Sequence, residues 1–518
     1  MIANRIIKNT SYNTLGRFWL ILVNFFLTPL ILSYLGDKRF ALWALFWTFS
    51  TWFMFMDLGI GSSVVREVAR LAVKDCPEEV NTTLFSALAF NFLIGLLVLV
   101  FVWGGAGWLV DYMDVSEALR GDALDLAYLA PIVFVVMGLM GIFDCFLRGM
   151  QRYDLIVIIS IAISFINVAT VWLVLHYGYG IFGLMLAAVF VYSIQLLLLV
   201  WFSRNVFPRM RFRPAFINAG RIRQMLPFGL HLQAARFGEL ASYQADKIIL
   251  AILTPLYYVT LYDLASKIAS LLRMLPYLLT SAVLPSVAQM HAENDSRRIW
   301  MMYERGSKYL WIVSTPLFLG LCITAPLLTQ LWLGHVSMEI YLAIIILSLG
   351  YWGTVNVGVL YAIAVGLGWS KPIMYITLFQ AVTNLTLSWV LASSIGYVGV
   401  LYATSITLIA TSIIVYLRFC HDFDRARQRD FRSFMQVLIA NFPPSIICLV
   451  YLYMSGYWGW DMSEETRISV IPPLLFCFAI YGLVYMVSIR FARLLDSTDM
   501  EWLGAFFPAM LKKYLFVR

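Results

Sequence analysis

Long apolar runs alternate with short polar segments from about residue 13 to residue 489. A helix that crosses a bilayer needs roughly 20 predominantly apolar residues. On that criterion the runs predict fourteen spans: 13–35, 40–63, 84–110, 127–147, 155–176, 181–203, 226–253, 257–286, 309–333, 339–367, 372–394, 397–417, 434–455 and 468–489. The chain of 518 residues is 61% hydrophobic and only 13% charged, against about 25% charge in a soluble domain. Soluble-enzyme readings are thereby excluded.

Charge orients the spans. If the N-terminus is cytoplasmic, 29 of the 37 Lys and Arg residues fall on the inner side and four, Lys38, Arg39, Arg120 and Arg467, on the outer side. That split is the positive-inside pattern of a bacterial inner-membrane protein, and an even number of spans places both termini in the cytoplasm. The net charge of +8 is therefore a matter of topology and of anionic headgroups, and nucleic acid is not an expected partner. The N-terminal apolar stretch lacks a small-residue cleavage site and reads as a retained first helix. Outer loops are too short to form a catalytic domain. After the last span, Trp502, Phe506, Phe507, Met510, Tyr514 and Leu515 interleave with Lys512 and Lys513, as in an interfacial amphipathic helix.

Six scattered cysteines form no disulfide framework, and five scattered histidines give no metal spacing. No phosphate-binding glycine loop, nucleophile elbow or zinc-protease motif is present, so no catalytic residue, metal or cofactor is expected.

The two halves of the chain echo each other. Asn167, Trp172 and Gly180–Gly183 recur as Asn384, Trp389 and Gly396–Gly399, at offsets of 217 and 216 residues. Leu35 and Trp43 match Leu253 and Tyr262 at 218 and 219. The order and near-constant offset predict a duplicated six-helix unit in parallel orientation, with the transport path between the copies. The expected fold is an all-α polytopic membrane protein of about fourteen transmembrane helices. It comprises an N-terminal lobe over 1–203, a basic linker over 204–224 and a C-terminal lobe over 225–417, the lobes flanking a central cavity. Two extra helices over 418–491 and a cytoplasmic amphipathic tail over 492–518 complete it.

Charges at lipid depth carry the candidate chemistry, since one at the bilayer centre costs roughly 2.5–3.5 kcal/mol on insertion scales. Spans seven and eight concentrate Arg236, Glu239, Asp246, Lys247, Asp263, Lys267 and Arg273, which predicts that they border water. At about 1.5 Å per residue, Asp246, Lys247 and Asp263 lie roughly 9–11 Å from the outer end, Lys267 roughly 15 Å, and Arg236, Glu239 and Arg273 roughly 21–26 Å. Arg17 corresponds to Arg236 at an offset of 219 and shares a face with Asn24 and Thr28. Arg17, Asn24, Arg236, Lys267 and Arg273 are the candidate substrate-binding residues, because guanidinium forks suit phosphate oxygens at any working pH. Asp57, Glu239, Asp246 and Asp263 are the ion-coupling candidates. The bland alternative is ion pairing alone, Arg236 with Glu239, Asp263 with Lys267, Asp57 with Arg66 and Asp144 with Arg148. Pro29, Pro255, Pro285 and Pro326 read as kinks or helix ends.

Two stretches carry a family resemblance. One is Leu35-Gly36-Asp37, Ala41-Leu42-Trp43, Asp57-Leu58-Gly59-Ile60-Gly61 and Val65-Arg66. The other is Ala245-Asp246-Lys247-Ile248-Ile249-Leu250, then Leu261-Tyr262-Asp263-Leu264-Ala265-Ser266-Lys267 and Pro285. The chain resembles the polysaccharide transporter family of Wzx-type lipid-linked oligosaccharide flippases, in the multidrug/oligosaccharidyl-lipid/polysaccharide (MOP) superfamily. It departs from the pattern at Ala41, where a glycine is common. The resemblance implies two six-helix lobes and alternating access. It also implies an undecaprenyl-diphosphate-linked oligosaccharide as cargo, moved from the cytoplasmic to the periplasmic leaflet and driven by an ion gradient or the membrane potential. The last two spans could hold the lipid tail. Membrane lipids, a polysaccharide polymerase and chain-length machinery would be its partners. The same superfamily offers a multidrug or toxin cation exporter, or a flippase for lipid II or a teichoic acid precursor. A glycosyltransferase or polymerase would need a large outer loop, and an inactive scaffold would tolerate loss of the cavity charges.

Overall fold

The computed structural model describes residues 2–112, 115–280, 295–335, 337–423, 427–457, 466–492 and 494, with 283, 287, 290, 291 and 293. Arg17, Arg236 and Glu239 lie on described helices, but their side chains, Pro285 and the tail beyond residue 494 lie outside the described part.

Among the described residues the chain is helical, without strands. The helices are α1 (Ile2–Phe53), α2 (Ile60–Val73), α3 (Pro77–Tyr112), α4 (Glu117–Gly149), α5 (Tyr153–His176), α6 (Gly180–Val206), α7 (Ala219–Leu253) and α8 (Tyr257–Thr280). They continue as α9 (Ser296–Leu333), α10 (Met338–Asn356), α11 (Gly358–Gly366), α12 (Ser370–Ile395), α13 (Tyr397–Phe423), α14 (Arg427–Met454) and α15 (Ile471–Phe491). Eleven stretches among the described residues are long and apolar enough to span a bilayer. α7 and α8 are not among them, because they carry the charges singled out above. Large apolar side chains stand exposed along the spans, Phe26, Phe101 and Leu475 among them, as a lipid-facing surface requires.

The first two expected spans differ from prediction in a way the motif residues explain. Backbone helicity breaks at Gly36, whose φ of 70° is open to glycine, so α1 is two helices end to end. The second does not run on to residue 63. It passes into a single 3-10 turn over Met54–Asp57 and restarts at Ile60. Asp57 makes that restart: its carboxylate accepts from the amide N–H of Gly59 at 2.7 Å and of Gly61 at 3.4 Å. A carboxylate at a helix N-terminus satisfies amides the helix itself cannot. Asp57 therefore serves as the cap of α2, and the partner of Arg66 is Glu67 at 2.9 Å. Asp144 pairs with Arg148 at 2.6 Å, as the i, i+4 spacing predicts.

The repeated glycine pairs have matching backbones. Gly180 and Gly396 both have positive φ, 55° and 66°, in the turns that open α6 and α13. Three residues later, Gly183 and Gly399 are so closely approached by Tyr179 and by the Leu391 carbonyl that neither has room for a Cβ.

Contact density divides the chain into two compact units, Met1–Asp263 with Thr377–Val400, and Leu264–Ile376 with Leu401–Arg518. In the first unit α2 buries the stripe Ile60, Val64, Val68 and Leu71 in an apolar cluster that also takes in residues of α3 to α6. Glu67 falls on the same face and is itself buried. Burial works against its charge, but hydrogen bonds from Arg70 and Arg66 outweigh that and hold its carboxyl below the usual glutamate range. In the second unit α14 and α15 pack on α9. Val437, Cys448, Cys477, Tyr481 and Tyr485 meet Trp311 and Leu327, and the Tyr485 hydroxyl donates to the Ile312 carbonyl at 2.8 Å. α9 ends at Gly334, and the Arg467 guanidinium donates to the Leu333 carbonyl at 2.7 Å, placing a cation on the negative end of the helix.

Two outcomes follow from these contacts. Arg467→Ala should cost about 1–2 kcal/mol, read as a lower melting temperature in detergent, whereas an unchanged melt would mean that the contact contributes nothing. A depressed folded-state carboxyl gives stability that is complete above the unfolded value and lost as pH falls through the folded one. The melting gap between wild type and Glu67→Gln should thus be full at neutral pH and close below about pH 4.3. A gap that did not change with pH would contradict the pairing.

Candidate functional site

Three of the charges of α7 and α8, Asp246, Lys247 and Asp263, come together inside the first unit. α7 starts where the Asn218 side chain accepts from the Arg221 amide N–H at 3.2 Å, and it stops at Thr254, ahead of Pro255. α8 then returns alongside it. Lys247 on α7 and Asp263 on α8 form an ion pair with Nζ 2.6 Å from Oδ1, both side chains at most 10% exposed. Asp263 thus meets Lys247 across the helix pair, where sequence spacing had pointed to Lys267.

One residue earlier on α7, Asp246 is wholly buried. The Tyr262 hydroxyl donates to its Oδ2 at 2.6 Å. From α12, the Asn384 amide and the Ser388 hydroxyl donate to its Oδ1 at 3.1 and 2.9 Å. The same Asn384 amide reaches the Ser242 carbonyl at 3.2 Å, while its own Oδ1 is buried without a hydrogen-bond partner among the described residues. An ionised carboxylate is costly in a low-dielectric interior unless donors surround it. The site therefore holds either a charge supported by oriented hydroxyl and amide donors, or a proton.

The expectation that these charges border water is corrected for three of them: Asp246, Lys247 and Asp263 are buried in protein because they find partners there. Lys267 and Arg273 belong to the second unit and are half-buried. The Arg273 guanidinium lies 5.7 Å from the centroid of the Tyr351 ring, within cation–π range. Asn24 is exposed on α1, its side-chain amide donates to the Leu20 carbonyl, and its backbone carbonyl accepts from the hydroxyl of buried Thr28.

Ser388 is not singled out by the sequence; Asn384 stands there only as a repeat marker, and Tyr262 as a repeat marker and part of the family motif. The available signal was polar spacing: Asn384 and Ser388 stand i, i+4 in a span without charges and so share a face. Glu67 could have been found similarly, because it falls on the apolar stripe of α2 between two arginines.

The sequence model of the polysaccharide biosynthesis protein family matches residues 6–291, more than half the chain. The chain belongs to this family. The MatE model matches residues 234–390. A relative from Bacillus subtilis (strain 168), the uncharacterized membrane protein EpsK, is 22% identical over 488 residues, 93% of this chain and 95% of its own. Among solved structures, the lipid II flippase MurJ in an inward closed conformation has a TM-score of 0.68 at 14% identity, covering 92% of this chain and 98% of its own. An inward-facing multidrug resistance MATE family transporter has 0.67 at 14% identity, covering 78% and 94%. The chain is thus a member of the polysaccharide biosynthesis protein family that has the fold of these membrane transporters, with eleven bilayer-spanning stretches among the described residues.

Breaking the buried pair from one side should be expensive. Lys247→Met should lower stability by roughly 3–5 kcal/mol, and adding Asp263→Leu should recover most of it. Melting curves of the purified variants would show this, and a double variant no better than the single would contradict it.

Proposed function

We propose that the protein is a flippase for an undecaprenyl-diphosphate-linked oligosaccharide, a repeat unit of O-antigen, capsule or exopolysaccharide. It moves this lipid from the cytoplasmic to the periplasmic leaflet of a bacterial inner membrane by alternating access, without an enzymatic step and with both termini in the cytoplasm. The observation that carries the reading is coverage: the polysaccharide biosynthesis family matches residues 6–291, and the lipid II flippase aligns over 92% of the chain, against 78% for the inward-facing multidrug transporter. α14 and α15, packed firmly on α9, are part of what a lipid flippase on this fold would use.

The candidate ligand groups have the sign a diphosphate needs. Arg17, Arg236, Lys267 and Arg273 are cationic, Asn24 offers an exposed amide, and the Arg273–Tyr351 pair suits both a phosphate and the face of a sugar. An organic-cation exporter would want acidic groups in their place. Coupling is assigned first to Asp246. It is buried, its carboxylate is held by movable protons on Tyr262 and Ser388, and it joins α7 to α12, so a change in its charge changes how those helices pack.

Proteoliposome translocation of a fluorescent undecaprenyl-diphosphate oligosaccharide tests the reading. Wild type should move it, and Arg273→Ala should slow the movement at least about tenfold, the loss expected for one charge-assisted contact. Transport of an organic cation in place of the lipid-linked sugar would overturn it.

A further inference from the structure

A second polar site sits apart from the buried carboxylates, at the end of the first unit where α2 finishes and α7 begins. A cavity of about 300 Å³ is lined by Arg66, Glu67 and Arg70 of α2 and by Arg221, Gln224 and Met225 of α7. Three guanidinium groups face it, with one carboxylate. Glu67, 11% exposed, fixes two of them: it takes one N–H from Arg66, and two from Arg70 at 3.1 and 2.7 Å. Arg221 is fixed by Thr83 at 2.9 Å and Glu79 at 3.3 Å. A guanidinium has five N–H donors, so all three retain donors beyond these bonds. Arg66 and Arg70 are each about half exposed, 47% and 50%.

Close contacts join α2 to α7 beside this cavity. Gly59 and Gly229 touch so closely that a Cβ on Gly59 would stand 2.3 Å from the Gly229 carbonyl oxygen, and the Ser63 hydroxyl donates to the Met225 carbonyl at 2.7 Å. Arg66 lies 3.9 Å from the centroid of the Phe228 ring, which holds its plane without using its donors. Arg66, Arg70 and Arg221 are thus each held by contacts within the protein.

We propose that this cavity is a binding site for the phosphate group of an anionic membrane lipid in the leaflet that the positive-inside asymmetry makes cytoplasmic. A tetrahedral phosphate offers the oxygens that the remaining guanidinium forks of Arg70, Arg66 and Arg221 match. A bilayer source, in preference to a soluble one, follows from the surroundings. Exposed Val73 follows Arg70 by three residues, exposed Ile217 precedes the start of α7, and exposed Leu230 lies one turn beyond the cavity. Apolar side chains exposed beside fixed arginines are what the headgroup layer accommodates. A phosphate bound there would bridge α2 to α7 and stabilise the folded state by mass action.

The test uses the purified full-length protein and short-chain dioctanoyl phosphatidylglycerol, with the phosphatidylcholine analogue and inorganic pyrophosphate as comparison ligands. Melting temperature is followed against ligand concentration for wild type, Arg70→Gln, Arg70→Lys and Arg209→Gln. Arg209 is an exposed arginine paired with Asp75, outside the cavity. Phosphatidylglycerol should raise the melting temperature of wild type and of Arg209→Gln alike. Arg70→Gln should weaken the apparent affinity about tenfold, with Arg70→Lys, which keeps the charge and loses the fork, falling between. Should Arg70→Gln fail to fold, the Lys variant still decides, because equal responses in Arg70→Lys and wild type would overturn the guanidinium site. Equal weakening in Arg209→Gln would reduce the effect to general charge attraction and overturn the proposal. So would a shift given by pyrophosphate and not by phosphatidylglycerol.

Discussion

A charge on a transmembrane helix must be answered inside the protein, and that constraint governs this chain. Lys247 answers Asp263 across α7 and α8 at 2.6 Å, and Tyr262, Asn384 and Ser388 supply donors to Asp246 one residue away. Desolvating such groups costs several kcal/mol each, so α7, α8 and α12 are held in register by the need to keep the partners together. The buried network is therefore what orders this part of the unit.

The helical class, the apolar spans and the charged pair of helices were legible in the sequence because each is a property of composition over a window. Details that depend on meeting across helices were not. Asp263 is four residues from Lys267 and sixteen from Lys247, and only the turn at Thr254–Pro255 brings the distant lysine to it. The motif Asp57-Leu58-Gly59-Ile60-Gly61 sits within an apolar run, so hydropathy carries the span straight through it. The carboxylate of Asp57 instead caps a new helix there. Ser388 has no charge to betray it. Gly180 and Gly396 were legible because their positive φ demands glycine, which composition does not disguise.

Anionic chemistry recurs at two depths on two different grounds. At the end of α2 a single buried glutamate organises arginines that remain open to ligand, while in α7 the carboxylate is enclosed and its donors are neutral hydroxyls and an amide. The first arrangement suits holding a phosphate and the second suits changing charge. The proposed transport of a lipid-linked sugar would draw on both capacities.

The most direct measurement is the response of transport to an imposed ion gradient in proteoliposomes, taken for proton and sodium gradients in turn, with wild type and Asp246→Asn. Asparagine keeps the shape and removes the titratable charge. The account predicts that one gradient accelerates wild type and that folded Asp246→Asn no longer responds to it. An Asp246→Asn protein that kept the full gradient response would contradict the assignment of coupling to the buried carboxylate.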